Sequence, residues 1–342
     1  MFSQPSPVIS IDFLPFRFLC VRTSTIMTWA WKETKYSFVQ RCCLRILKCG
    51  PIPKHVGFIM DGNRRYANKK NMACSAGHAQ GFLKLSEALS WCRDFGVEEL
   101  SVYAFSIENF KRKQSEVNFL FQLASNKLQE LLDKRDELKE NGVCVRVIGN
   151  LSLLPPDIQI LASEVMLITR CNTKAVLNIY MAYTGRDDLS QAIERIRTGV
   201  VDKLILPDDI DTQLLSSCLH SRLSRPLDLL IRTSGEVRLS DFLVWSAATS
   251  GTVHKFVSNF WPEFSFWEFA QSILYYQLSN TYLSRLHLSI PAAESFSSTT
   301  SGDKDHANRV QRFLDSVDQA YWKQLESLTC STSRCLGEIV RG

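Results

Sequence analysis

From residue 55 onward the chain alternates between two hydrophobic patterns. Short apolar runs rich in β-branched and aromatic residues occupy positions 55–60, 100–106, 143–149, 175–183 and 227–233, with a weaker run at 253–257. Between them, over 77–95, 115–141, 157–169 and 186–198, apolar residues recur every three or four positions. The first pattern predicts strands buried on both faces, and the second predicts amphipathic helices. Their alternation predicts an α/β fold: a single domain over residues 51–288 with a central, mostly parallel six-stranded sheet flanked by helices. Ligands of such sheets bind beyond the carboxyl ends of the strands, so functional residues should directly follow the apolar runs.

The flanks carry different patterns. Within residues 28–50, Phe38, Val39, Cys42, Cys43, Ile46 and Leu47 fall on one helical face, Arg41, Arg45 and Lys48 fall off it, and Gly50-Pro51 ends the pattern. This basic amphipathic N-terminal helix either packs on its own domain or lies on an anionic membrane surface. Residues 289–308 are rich in Ser, Thr, Ala and Asp and predict a linker. Beyond it, in 309–342, Val310, Phe313, Leu314, Val317, Tyr321, Leu325 and Leu328 form the stripe of a C-terminal helix with a frayed tail. It could pack on the domain or on a partner chain. Residues 1–27 read as a disordered extension. Their apolar stretch is interrupted by Asp12, Pro15 and Arg17, which argues against a signal peptide. No apolar run approaches the roughly 18 residues of a transmembrane helix.

Composition narrows the class only modestly. With 342 residues, 45% hydrophobic and 22% charged, the chain is neither collagenous nor mostly disordered. A net charge of +5 is too weak to argue for a nucleic-acid partner, and none is expected. The 11 cysteines include no CxxC pair, which predicts a reducing, cytosol-facing compartment with neither a disulfide framework nor a zinc cluster.

Three strand ends carry candidate chemistry. After the first run come Asp61, Gly62, Asn63, Arg64 and Arg65. A carboxylate beside a helix start and two arginines suits Mg²⁺ bridging a phosphate, although Asp61 as a simple helix cap would also fit. After the second run, Ser106, Glu108, Asn109 and Arg112 lie within seven residues; an ordinary polar loop is the plainer reading. After the fifth, Arg232 and Arg238 flank a Ser-Gly turn ahead of Ser240. Such a turn could aim two guanidiniums at one diphosphate, or merely place surface salt bridges. The combination outweighs each part, since P-loop, GxGxxG, GxSxG and HExxH motifs are all missing.

These blocks, FIMDGNRRYA (58–67), VYAFSIENFKR (102–112), IRTSGEVRLSDFL (231–243) and WPE (261–263), closely resemble those of the cis-prenyltransferases, the undecaprenyl and dehydrodolichyl diphosphate synthases, in the form that the animal dehydrodolichyl enzymes carry. The resemblance covers about residues 29–277, with a weaker echo at 309–327. It implies that farnesyl diphosphate is lengthened by successive cis additions of isopentenyl diphosphate to a long polyprenyl diphosphate, for dolichol and protein glycosylation. By analogy Asp61 holds Mg²⁺. Gly62, Asn63, Arg64 and Arg65 cradle the allylic diphosphate. Arg112, Arg232, Arg238 and Ser240 contact the isopentenyl diphosphate, and Asn109 and His78 are catalytic-pocket residues.

The resemblance further implies an apolar tunnel for the product. Phe82, Leu85, Leu89 and Cys92 on one helix and Phe119, Leu120, Leu123, Leu128 and Leu131 on the next are candidates, with ordinary core packing equally open for each. It also implies work at the cytosolic face of the endoplasmic reticulum membrane. The match has departures. Cys74 stands where the family usually has an arginine, Gly251 where bacterial members have a metal-binding glutamate, and the chain lacks the Arg-x-Gly ending that completes some members' sites. The first implies weaker binding of the allylic substrate or compensation by Lys69 or Lys70; the other two imply a heteromer completed by a Nogo-B receptor-type partner subunit. The competing readings are a weakly active or inactive scaffold subunit on the same fold, disfavoured by the retained Asp and Arg blocks, and a trans-type synthase. The latter needs DDxxD helices, whereas Asp208-Asp209-Ile210-Asp211 reads as a helix start.

Overall fold

The computed structural model describes residues 34–289 and 304–339. The extension read for 1–27 and most of the linker read for 289–308 lie outside them. Six strands, β1 (His55–Ile59), β2 (Glu99–Ser106), β3 (Val143–Ile148), β4 (Ala175–Tyr183), β5 (Leu229–Arg232) and β6 (Val253–Phe256), form one sheet in the order β3-β4-β2-β1-β5-β6. Every pairing is parallel. All strand carboxyl ends therefore point to one edge. β1 and β5, both inside the sheet, are buried at every position, which is why they read as unbroken apolar runs.

The helices are α1 (Phe38–Leu47), α2 (Asn63–Lys69), α3 (Cys74–Phe95), α4 (Gln114–Asp133), α5 (Arg135–Glu140), α6 (Pro156–Thr169), α7 (Gly185–Val201), α8 (Thr212–Ser217), α9 (Val244–Thr249), α10 (Phe266–Ser289) and α11 (Lys304–Ile339). One core gathers Phe58 of β1, Trp91 and Phe95 of α3, Phe264 just before α10 and Phe269 within its first turn. A second core joins Leu128 and Leu131 of α4 to Val145 and Val147 of β3, Ile158 and Val165 of α6 and Leu325 of α11. Among the described residues no helix is long and apolar enough to cross a membrane.

Three sequence expectations change in detail. The single helix expected over 115–141 breaks at Lys134, where φ −110° and ψ 27° leave the helical region inside a charged run. The N-terminal helix is shorter than the 28–50 segment; Ser37 and Gln40 close it with a capping box. Its expected apolar face is split: Leu47 is buried with Cys43 and Leu44 against the core, whereas Phe38, Val39 and Ile46 are exposed. The C-terminal helix begins at Lys304 and packs on its own domain. Phe313 enters the α7–α8 core, and buried Asp209 accepts from Arg309 at 2.7 and 2.8 Å and pairs with His306 at 2.6 Å. Asp211 caps α8 through the Leu214 amide at 2.7 Å, so the acidic run is indeed a helix start.

Candidate active site

β1 delivers Asp61 two residues past its end, and Gly62 makes the turn into α2 at φ 100°, a conformation costly for any residue with a Cβ. The backbone here is tied from two sides. Thr233, just after β5, exchanges hydrogen bonds with Asp61 N (3.1 Å) and O (2.9 Å). Trp261 donates its backbone N–H to Asp61 O at 2.9 Å and its indole N–H to Gly81 O of α3 at 2.7 Å. Gly77 and Gly81 let α3 lie directly on the start of α2, since a Cβ at Gly81 would sit 2.2 Å from Asn63 Oδ1. The WPE block is thus a brace for the carboxylate loop.

The Asp61 carboxylate accepts from Arg232 Nη2 at 2.8 Å and from the Gly62 amide at 2.7 Å, with Arg65 at 3.4 Å. Burial pushes this carboxyl upward in pKa, but Arg232, the Gly62 amide and Arg65 outweigh it and hold it below the usual carboxylate range. Arg232 is only 3% exposed. Its Nη1 donates to Ser240 Oγ at 2.7 Å and to the Arg238 carbonyl, so the β5 loop folds back over its own arginine. That loop places Ser234, Ser240, Asp241 and Leu243 at φ between 47° and 83°. Such left-handed non-glycine residues cost of order 1–3 kcal/mol each and cluster at functional sites. Arg238 pairs with Glu236, which also accepts from Arg65 at 2.8 Å.

The end of β2 supplies the opposite wall. Asn109 Oδ1 accepts from Ser106 N at 3.1 Å, closing the turn and leaving the amide NH₂ as the group it can present to a ligand. Arg112 donates to Glu116 at 2.8 Å, His78 Nε2 lies 3.2 Å from the same oxygen, and Arg64 Nε lies 3.9 Å away. Burial lowers the His78 pKa, against the pull of Glu116, so the imidazole is neutral at physiological pH. Glu116, outside the strand-end blocks singled out from the sequence, joins α2, α3 and α4. Arg186, which follows β4 and bonds Asp241 at 2.9 Å, was missed although it obeys the same strand-end rule.

These groups share one cavity of about 670 Å³. Asp61, Asn63, Arg64, His78, Asn109, Arg112, Arg232, Arg238 and Ser240 all line it, together with Arg186 and Glu108. Gly62 and Arg65 are not among the lining residues; the first makes the turn and the second bridges Asp61 to Glu236. Below this polar rim the walls are apolar: Phe82 and Leu85 of α3, Leu120, Leu123, Leu128 and Leu131 of α4, and Leu177, Ile179 and Met181 of β4. A second cavity of about 300 Å³ lies toward the amino ends of the strands, lined by Leu89, Cys92, Leu100 and Val143, and it shares Leu131 and Leu177 with the first. Of the tunnel candidates only Phe119 lines neither.

The donor set fits a magnesium ion that is shared with a substrate. Mg²⁺ typically takes one or two carboxylates and fills its other positions with water and phosphate oxygens. Asp61 is such a carboxylate, ionised and fixed. Buried Arg232 Nε and Ser234 Oγ at the end of β5 and Asn63 Oδ1 at the start of α2, on the two segments that meet at Asp61, have no protein partner.

Residues 59–283 match the prenyltransferase family model, that of the undecaprenyl diphosphate synthases. The chain is a member of the cis-prenyltransferase family. It is 46% identical over 259 residues to the human "Dehydrodolichyl diphosphate synthase complex subunit DHDDS", covering 76% of this chain and 77% of that protein. The Schizosaccharomyces pombe dehydrodolichyl diphosphate synthase complex subunit is 40% identical, over 69% of this chain and 89% of its own length. Among solved structures, lavandulyl diphosphate synthase from Lavandula x intermedia, in complex with dimethylallyl diphosphate, superposes with a TM-score of 0.62 at 27% identity, over 66% of this chain and 95% of the other. This cis-prenyltransferase places Gly251 in the turn before β6 at φ 65°, outside the cavity lining. Cys74 opens α3 beside His78 and Glu116, the three donor atoms lying within 4.8 Å of one another. Local cysteine spacing gave no sign of this trio.

Proposed function

We propose that this cis-prenyltransferase elongates farnesyl diphosphate with successive isopentenyl diphosphate units to a long polyprenyl diphosphate of the dehydrodolichyl type. The observation that carries this reading is the junction of a cationic rim, spanning the ends of β1, β2 and β5, with an apolar cavity running back along the sheet. β2 alone spans about 25 Å from Glu99 to Ser106 at roughly 3.3 Å per residue. The two cavities together follow that length.

In this reading Asp61 would hold Mg²⁺, which when bound neutralises the charge that builds on the departing diphosphate. Asn63 and Arg64 face the allylic diphosphate, and Gly62 and Arg65 shape and fix the loop that cradles it. Arg112, Arg232, Arg238 and Ser240 hold the diphosphate of the isopentenyl unit, Arg232 already oriented by Asp61 and Ser240. Preorganised donors of this kind act where charge develops and need no rearrangement at the moment of reaction. Each charge-assisted hydrogen bond contributes about 1.5–3 kcal/mol. Asn109 presents its amide to the reacting end. His78, being neutral, can accept a proton or donate a hydrogen bond there.

The growing chain enters between α3 and α4, where each buried CH₂ gains about 0.8 kcal/mol. A long product therefore leaves slowly into water, and a membrane is its natural sink. Exposed Phe38, Val39 and Ile46 of α1, beside Arg41 and Arg45, support a peripheral attachment to the cytosolic face of the endoplasmic reticulum membrane. Relatives named as complex subunits support a heteromer with a Nogo-B receptor-type partner. The test is incubation of the purified chain, with and without that partner, with farnesyl diphosphate and labelled isopentenyl diphosphate. The reading requires polyprenyl products that depend on Mg²⁺ and rise with the partner. Full activity of the chain alone overturns the heteromer, and absence of product under both conditions overturns the catalytic reading in favour of a scaffold subunit.

A further inference from the structure

At the edge of the cleft a thiol, an imidazole and a carboxylate converge. Cys74 and His78 are one turn apart on α3, so they share a face, and Glu116 reaches them from the first turn of α4. We propose that Cys74 Sγ, His78 Nε2 and Glu116 form a binding site for a thiophilic divalent cation, Zn²⁺, with water as the fourth ligand. The site is separate from the Mg²⁺ carboxylate Asp61.

The geometry is close to what zinc requires. Tetrahedral bonds of about 2.0–2.3 Å place ligand atoms roughly 3.3–3.8 Å apart. His78 Nε2 and Glu116 Oε1 already stand 3.2 Å apart, and all three donors lie within 4.8 Å of one another. The sulfur therefore needs to close by no more than about 1 Å, within the reach of a cysteine rotamer change. All three residues are half-buried, so an ion can enter. Burial holds His78 neutral, and to ligate through Nε2 the ring moves its single proton from the Glu116-facing Nε2 to Nδ1. Burial also raises the Glu116 carboxyl, but Arg112 and His78 outweigh this and keep it ionised.

Two arginines oppose a cation here: Arg112 at 2.8 Å and Arg64 at 3.9 Å from Glu116. Burial and Glu116 push the Cys74 thiol up, against Arg64 and Arg112, so the ion itself must displace the thiol proton to solvent; the thiolate and the carboxylate together then balance its double charge. The arginines then face a centre with no net charge. A thiol–imidazole–carboxylate set suits Zn²⁺ and is wrong for Mg²⁺, which seeks oxygen alone. The consequence for turnover rests on the transferase reading above. An ion on His78 and Glu116 occupies part of the rim beside Arg64 and Arg112, so Zn²⁺ inhibits elongation.

The test uses the reduced, metal-free full chain titrated with Co²⁺ as a spectroscopic probe and then with Zn²⁺. One equivalent of Co²⁺ should give a near-ultraviolet thiolate-to-cobalt band that Zn²⁺ abolishes and millimolar Mg²⁺ does not. Cys74→Ser should lose the band, and Glu116→Gln should weaken Zn²⁺ binding by roughly tenfold or more in competition with a chromophoric chelator. Circular dichroism melts confirm that each variant is folded. A band of equal intensity in Cys74→Ser would assign the metal to other cysteines and overturn the site, as would wild-type Zn²⁺ affinity weaker than micromolar. In the activity arm, Zn²⁺ should inhibit the wild type more strongly than Cys74→Ser, and equal sensitivity overturns the inhibitory consequence. The binding arm needs no turnover, so its failure is distinguishable from failure of the transferase reading.

Discussion

Leu131 sits where the two cavities meet and is 3% exposed, which makes it the natural point at which to shorten or lengthen the product. The upper cavity of about 670 Å³ is the size of a site for a drug-sized ligand, far short of a long polyprenyl chain. A chain that outgrows it must pass Leu131 and Leu177 into the lower cavity of about 300 Å³. Leu131→Trp closes that passage. Each isoprene unit carries five carbons, so at about 0.8 kcal/mol per carbon the plug withholds roughly 4 kcal/mol for every unit that would have passed. That is close to a thousandfold against each further addition. The same substitution costs about 1–3 kcal/mol of stability through overpacking. Leu131→Ala opens the passage, with a stability cost of about 2–5 kcal/mol. The assay is chromatographic sizing of dephosphorylated products made from farnesyl diphosphate and labelled isopentenyl diphosphate, with melts to establish folding. The tryptophan variant should stop at short chains with initial rates preserved, and the alanine variant should shift the distribution longer. An unchanged length distribution in both folded variants refutes the passage. A loss of rate without change of length would show that Leu131 merely supports the core.

Other outcomes follow from the same geometry. Asp61→Asn removes the charge that Arg232 faces and should lower kcat by about 10- to 150-fold, from a charge-assisted bond of roughly 1.5–3 kcal/mol, in steady-state assays with excess Mg²⁺. Removing divalent metal with a chelator should abolish turnover yet leave Tm unchanged, because Asp61 is already paired with Arg232 at 2.8 Å; a fall in Tm would make the metal structural. Arg309→Ala leaves buried Asp209 without its bidentate partner and should destabilise by about 1.5–3 kcal/mol, read by denaturant melts. The Asp209 carboxyl is held far below its ordinary range by the Arg309 hydrogen bonds, against burial and helped by the Leu206 amide and His306. Its contribution is therefore present above about pH 4 and lost as pH falls toward the folded value, so the variant should show a shallower decline of Tm with acid than the wild type.

Much of this architecture is readable from local pattern because a doubly covered parallel sheet demands unbroken apolar strands, and a charged residue directly after one is conspicuous. Asp61, Arg232 and Ser106–Asn109 stand out for that reason, and the sheet brings them to one edge. What was not legible depends on contacts between distant segments. Glu116 looks like any acidic residue in the first turn of a helix, and its link to His78 joins α4 to α3 across 38 residues of chain. Periodicity placed Phe38 and Leu47 on one helical face, but it could not tell which residues of that face meet the core. The break at Lys134 carries no glycine or proline to announce it.

Trp261 grips two things at once, the carbonyl of Asp61 and the carbonyl of Gly81 on the tunnel wall. The two bonds leave from different atoms, the backbone N–H toward the carboxylate loop and the indole N–H toward α3, so one residue rivets the headgroup end of the cleft to the helix that walls its apolar part.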